Sequence, residues 1–177
     1  MTAPRRAAIT GAPGGGKSSL LDALARRGFA TVGEVAREIL RGDGGMALRR
    51  EDPAQFAIAM LDAQLARWMA IETGRADVVV FDRGFPDIAG FLQVEGLPIP
   101  ARVDEACRAL RFDGPIFRAH AWSAIYRPDA ERIQDWEEAV ASDEAVAQAW
   151  RDYGYELVDL PRAPVDDRAE FVIARLG

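Results

Sequence analysis

Short unbroken apolar runs recur along the chain, separated by longer stretches in which apolar residues return every third or fourth position. Runs of the first kind read as strands covered on both faces, and stretches of the second kind read as amphipathic helices. The strand signals fall at Ala7–Thr10, Phe29–Val32, Asp77–Phe81, Pro115–Ala119 and Tyr155–Leu160. Val78-Val79-Val80-Phe81 is the clearest of them. Helices are predicted over Lys17–Arg27, where Leu20, Leu21 and Leu24 share a face, and over Val35–Arg41. A long helix is predicted over Asp52–Thr73, with Asp52 as N-cap and Pro53 at its first position. Three more are predicted at Pro100–Leu110, Asp135–Asp152 and Val165–Leu176, and the Gly-rich segment Gly42–Arg50 reads as a mobile connection. Strand and helix alternate throughout. That order predicts an α/β fold: a mostly parallel five-stranded sheet with helices on both faces, three layers in one domain over residues 1–177.

The connection between the first strand and first helix reads Gly11-Ala12-Pro13-Gly14-Gly15-Gly16-Lys17-Ser18, which is G-x-x-x-x-G-K-S. Strand, glycine loop and helix in that order are the context a phosphate-binding loop requires. Glycines at 11, 14, 15 and 16 let successive backbone N–H groups converge into an anion cradle, and the helix start adds its positive end. Lys17 is expected to stand exposed on the loop and to meet the β- and γ-phosphates, Ser18 to offer a hydroxyl to Mg²⁺, and Ser19 to complete the cradle. The expected ligand is ATP or GTP with Mg²⁺, and the fold class is that of the P-loop NTPases.

Composition sharpens this. Of the 22 Lys and Arg residues, Lys17 is the only Lys, and Asn is absent altogether. The chain thus keeps its one compact ammonium for the position where the motif demands it. The same two absences exclude the Asn/Thr-Lys-x-Asp motif by which regulatory GTPases read guanine. With a net charge of −6 and a sequence pI near 4.9, nucleic acid and anionic membranes are disfavoured as partners. Arg5 and Arg6 precede only the short run Ala7–Thr10, too little for a secretory core. No stretch approaches the roughly 20 apolar residues of a membrane helix. With Cys107 as the single cysteine, a cytoplasmic location is the expectation.

Other candidate residues follow from the active end of the sheet, since ligands of open α/β sheets bind beyond the carboxyl ends of the strands. Asp82 ends the Val78–Phe81 run and is the expected second metal residue; Arg83 beside it is a candidate to reach a phosphate or acceptor. Glu34 and Arg37 follow the second strand. Glu34 could take a proton from a hydroxyl, and Arg37 could clamp an acceptor or pair with Glu34. Arg127 and Arg132, within a candidate lid at about 122–134, are expected to close over the phosphates. Arg162, after the last strand, could stack on a base. His120 reads as a structural residue at a strand end, and Trp68, Trp122, Trp136 and Trp150 as packing residues on helices.

Four stretches together resemble small bacterial predicted ATPases of the AAA-domain type, which are related to the kinase domain of nicotinamide-riboside kinases. They are Ile9–Leu20; Glu34-Val35-Ala36-Arg37-Glu38, similar to a Glu-x-Ala-Arg-Glu element of those kinases; Val80–Gly84; and Trp122–Arg127 with Asp129, Glu131, Arg132, Gly154–Leu157 and Leu160-Pro161. The resemblance implies a P-loop kinase-like domain. Two functions suit it: a kinase transferring the γ-phosphoryl group with Mg²⁺ to a small-molecule or nucleoside-type acceptor, or a nucleotide-dependent switch with slow hydrolysis acting through a protein partner. The acceptor and the oligomeric state are not readable from the residues.

Overall fold

The computed structural model describes residues 3–71, 76–125 and 136–177. Its elements run β1 (Arg5–Gly11), α1 (Lys17–Arg26), β2 (Ala30–Val32), α2 (Val35–Arg41), α3 (Gly45–Glu51), α4 (Pro53–Met69) and β3 (Val78–Asp82). They continue with α5 (Phe85–Val94), α6 (Ala101–Ala109), β4 (Ile116–Ala119), α7 (Trp136–Asp152), β5 (Leu157–Asp159) and α8 (Val165–Leu176). The strands form one sheet in the order β2-β3-β1-β4-β5, with every neighbouring pair parallel.

Strand alternation divides the core in two. Ala8, Val79, Phe81 and Ile116 face α4–α7, where Phe56, Phe85, Phe112 and Trp150 fill the layer. Ala7, Ile9, Val78, Val80 and Phe117 face α1 and α8, where Leu20, Leu24, Val172 and Leu176 close the other side. β1 and β3 lie side by side at the centre, with Ile9 opposite Asp82. The chain therefore leaves both strands at the same edge, and the loops after them share one crevice.

Two elements differ from the sequence reading. Gly42–Arg50, which the sequence marks only as a connection, is helical from Gly45 onward as α3, and Gly44, at φ 74°, provides the left-handed turn that starts it. The segment after Arg83, for which the sequence pattern predicts no element, is α5. Pro86 and Gly90 suggest breaks there. In the structure Pro86 occupies the first turn, where a missing N–H costs nothing, and Gly90 lets α7 approach closely. A Cβ on Gly90 would lie 2.7 Å from the Val146 α-carbon. The long helix ends at Met69, while Asp52 caps it as expected by accepting from the Gln55 N–H at 3.0 Å.

Candidate active site

The phosphate loop lies where β1 and β3 end. Gly11 has φ 118°, and a Cβ there would meet the Ala119 carbonyl oxygen at 2.2 Å, so only glycine admits the close approach of β4. Gly14 and Gly16 are also left-handed, at φ 77° and 76°. This alternation turns backbone N–H groups to one side and builds the cradle. Ser18 and Ser19 stand exposed on the first turn of α1.

Lys17 departs from its expected exposure: it is only 5% exposed. Its ammonium folds back onto the loop, donating to the Ala12 carbonyl at 2.5 Å and the Gly11 carbonyl at 3.4 Å. Burial lowers its pKa to about 8, with Arg83 adding to the effect against the pull of Asp82, Glu34 and Asp87. A cation so poorly compensated is primed for an incoming anion.

Asp82 is buried at the end of β3, as expected, and its Oδ1 has no hydrogen-bond partner. Burial first, then Glu34, raise its pKa to about 7, against Lys17 and Arg83. Ser18, Glu34 and Asp82 share the wall of a recess of about 420 Å³. Among the described residues no group of three His, Cys, Asp or Glu side chains could hold a metal alone. The residues present suit Mg²⁺, which uses one or two protein oxygens together with substrate phosphates and water. Ser18 and the orphaned Asp82 oxygen would be those protein oxygens.

Arg83 is the only described non-glycine residue with positive φ, at 70°. Such a conformation costs about 1–2 kcal/mol. It turns the guanidinium back over the strand ends, where Nε donates to Glu34 at 3.0 Å and Nη1 donates to the Gly11 carbonyl and to Asp87, each at 3.0 Å. Two nitrogens of Arg83, which sequence placed toward a phosphate or acceptor, thus hold the site together. Burial would raise the Glu34 carboxyl, but Arg83 and Lys17 outweigh it and hold its pKa below the ordinary value. Arg37 approaches Glu34 at 4.0 Å.

Three residues were missed by sequence. Buried Asp87 of α5 accepts from Thr10 Oγ1 at 2.6 Å, the Gly84 N–H at 2.9 Å and Trp150 Nε1 at 2.9 Å, besides Arg83. Gln64 of α4 is buried with its Nε2 unpartnered, and Arg168 of α8 is buried with its Nε unpartnered. Each of the latter two interrupts an apolar helical stripe, at the i+4 position from Met60 and the i−4 position from Val172; that interruption is the signal sequence offers.

Asp87, Gln64 and Arg168 line one cavity of about 690 Å³ together with Lys17, Glu34 and Arg83. The phosphate loop forms one end. Glu34, Arg83 and Asp87 lie on its wall, and an apolar arm is lined by Leu40, Phe56, Met60, Ile88 and Phe91 around Gln64. Phe56 and Phe91 meet edge to face at 5.6 Å, and Arg49 of α3 lies 4.6 Å from the Phe91 ring. On the far side, Ala163, Pro164 and Val165 form the wall, while Arg162 is exposed and outside the lining. Trp122 lines the cavity from the segment after β4 and is not on a helix, and Trp136, the first residue of α7, is 37% exposed; of the four, Trp68 and Trp150 are the buried helical packing residues. His120 lies past β4 between Asp159, at 2.8 Å, and Asp143, at 3.6 Å. Arg127, Arg132 and most of the candidate lid lie outside the described residues.

The glycine loop between a central parallel strand and α1, in a β2-β3-β1-β4-β5 sheet, defines a P-loop protein with a kinase-like fold. The sequence matches an AAA domain family over residues 6–168, and the chain belongs to that family. No curated protein matches it. Among solved structures, deoxyadenosine kinase from M. mycoides with dCMP and dCDP bound is similar at TM-score 0.72 and 16% identity, with 97% of each chain covered. Shikimate kinase from Acinetobacter baumannii in complex with shikimate gives TM-score 0.63 and 15% identity over 96% of this chain and 91% of that one. NadR protein in complex with NR gives 0.68 and 18%, over 98% of this chain and half of the other. Among the described residues, no helix is long and apolar enough to cross a membrane.

Proposed function

We propose that this protein is a phosphotransferase that moves the γ-phosphoryl group of ATP or GTP to a hydroxyl of a small nucleoside-type acceptor. The observation that carries the reading is the position of Glu34. Its carboxylate lies in one cavity with both the phosphate loop and the apolar arm, held by Arg83. The triphosphate occupies the loop, and the acceptor occupies the arm with its hydroxyl at Glu34. The hydroxyl oxygen bonds to the γ-phosphorus, the bond to the β-phosphate oxygen breaks, and the hydroxyl proton passes to Glu34. The products are a phosphorylated acceptor and a nucleoside diphosphate.

A carboxylate held below its ordinary pKa is a weak base, yet it suffices here. In a loose transition state the attacking oxygen has formed little bond and loses its proton late. Mg²⁺, held by Ser18 and Asp82, would neutralise phosphate charge. Lys17 binds the β- and γ-phosphates, moving from its present contacts with Gly11 and Ala12. Arg127 and Arg132 are proposed to close over them, and Arg162 to flank the base. Arg37 is proposed to steady the acceptor.

The arm fits a flat, largely apolar body, because aromatic and aliphatic side chains line it. The buried Gln64 amide supplies a polar contact that such a body needs at one edge, as a base does. The kinase names of the fold neighbours support the same class. The test is a screen of nucleosides, nucleotides and small polyols for ADP or GDP release. An acceptor that raises turnover well above the water background supports the proposal. If every compound leaves turnover at that background, the reading as a slow nucleotide-dependent switch gains over this one.

A further inference from the structure

Arg168 sits in a place that elementary electrostatics disfavours. It is 5% exposed, beside Ala169 and Val172 of the α8 core face. Among the described residues its one side-chain hydrogen bond runs from Nη1 to the Gly15 carbonyl at 3.2 Å, and no carboxylate pairs with it. Two acidic residues of its own helix are turned elsewhere: Asp166 and Glu170 both bind Arg27, the C-cap of α1, at 2.9 and 3.3 Å. Its guanidinium lies over Gly16, where a Cβ would come within 2.8 Å of Nη1 and 2.9 Å of Nη2. Gly16 is the N-cap of α1. A cation there meets the positive end of the helix with Lys17 next in the chain, an arrangement unfavourable until an anion enters. Burial alone lowers the Arg168 pKa, with no compensating charge.

Buried charges are normally paired, and removing water from an unpaired guanidinium is expensive. A site that keeps one next to an anion cradle is built for a ligand with more negative charge than Lys17 and the helix end can neutralise. Its position says which part of the ligand it meets. Arg168 lines the cavity between the loop glycines and the Ala163–Val165 wall. A nucleotide with its terminal phosphates at Lys17 and its base toward that wall runs past Arg168 between the two.

We propose that Arg168 is a nucleotide-phosphate ligand, binding through its guanidinium fork the phosphate nearest the nucleoside and tying α8 to the phosphate loop. The proposal rests on the nucleotide-binding reading above. It has a second consequence. Because no described residue supplies a counter-charge before nucleotide binds, the guanidinium should lower the stability of the free protein while strengthening the complex.

Titration calorimetry with ADP and Mg²⁺, alongside thermal unfolding without nucleotide, tests both halves. Arg168→Gln keeps a donor for the Gly15 carbonyl and removes the charge. Charge-assisted hydrogen bonds of this kind predict that it weakens ADP binding about tenfold to a hundredfold. Its unfolding temperature without nucleotide should equal or exceed that of the wild type, and Arg168→Lys should recover part of the affinity. ADP binding by folded Arg168→Gln within about twofold of wild type would overturn the proposal. So would a clear fall in its nucleotide-free unfolding temperature, which marks a merely structural role. If the wild type itself fails to bind ADP, the nucleotide-binding reading fails and takes this inference with it.

Discussion

Replacing Asp82 by Asn separates what its charge costs the free protein from what it contributes to transfer. The amide keeps the size of the side chain and removes the charge. In the free protein the carboxyl is buried, its Oδ1 is unpartnered, and its pKa rises from 3.8 to about 7. A carboxyl raised in this way stabilises the fold only while it keeps its proton. That contribution is complete below 3.8 and is lost as pH rises through about 7. A tenfold change in proton affinity is worth about 1.4 kcal/mol, so the titrating carboxyl costs the fold up to about 4 kcal/mol at pH 8, where it is ionised in the folded protein, and under about 2 kcal/mol at pH 5, where the folded protein keeps a proton that the unfolded chain releases. Urea denaturation without nucleotide should therefore show Asp82→Asn more stable than wild type at pH 8, by about 2–4 kcal/mol, with the gain shrinking by about 2–3 kcal/mol at pH 5. At saturating nucleotide and Mg²⁺ the same variant should lose on the order of a hundredfold to a thousandfold in turnover, as when one preorganised charge partner is removed from a transition state. Equal stability of the two proteins at pH 8, or turnover within about threefold of wild type, would refute the reasoning. Asp82 would then be a strand-end residue, with Glu34 the next candidate for the metal.

Three further variants probe the rest of the site. Asp87→Ala strips four donors of their partner and leaves Arg83 half-paired; breaking a buried pair predicts a loss of about 3–5 kcal/mol, seen as a fall of about 10 °C in unfolding temperature. Lys17→Met keeps the bulk of a buried side chain and should weaken ATP binding on the order of a hundredfold by calorimetry. Since burial lowers the Lys17 pKa to about 8, the ammonium costs stability as pH falls through that value, and Lys17→Met should be no less stable than wild type at neutral pH. Gln64→Leu should stabilise the free protein by removing an unpartnered buried amide, and should raise KM for the acceptor about tenfold or more while KM for ATP stays unchanged; a rise in both would place Gln64 outside the acceptor arm.

The parts of this molecule that sequence exposes are those specified by local chemistry. The glycine loop, Lys17 and Asp82 are legible because a tight phosphate cradle and a strand buried on both faces each leave a local mark. The helix bounds of Val35–Arg41 and Val165–Leu176 are legible for the same reason. What was hidden depends on partners far along the chain. α5 drew no prediction because its Gly90 answers to Val146, 56 positions away, and Asp87 mattered only once Thr10 and Trp150 were brought to it. The exposure of Lys17 was misjudged because its ammonium turns inward to carbonyls of its own loop. Trp122 was misassigned because cavity walls and helix cores draw on the same residue types.

Transfer to an acceptor is tested by following the γ-phosphoryl group itself. The protein is incubated with γ-labelled ATP, Mg²⁺ and a pool of nucleosides, and the products are resolved by chromatography and mass spectrometry. Label is expected in a new compound heavier than one of the nucleosides by a single phosphoryl group, formed by the wild type and not by Lys17→Met. Label recovered only as inorganic phosphate, at a rate unchanged by any nucleoside, would contradict it.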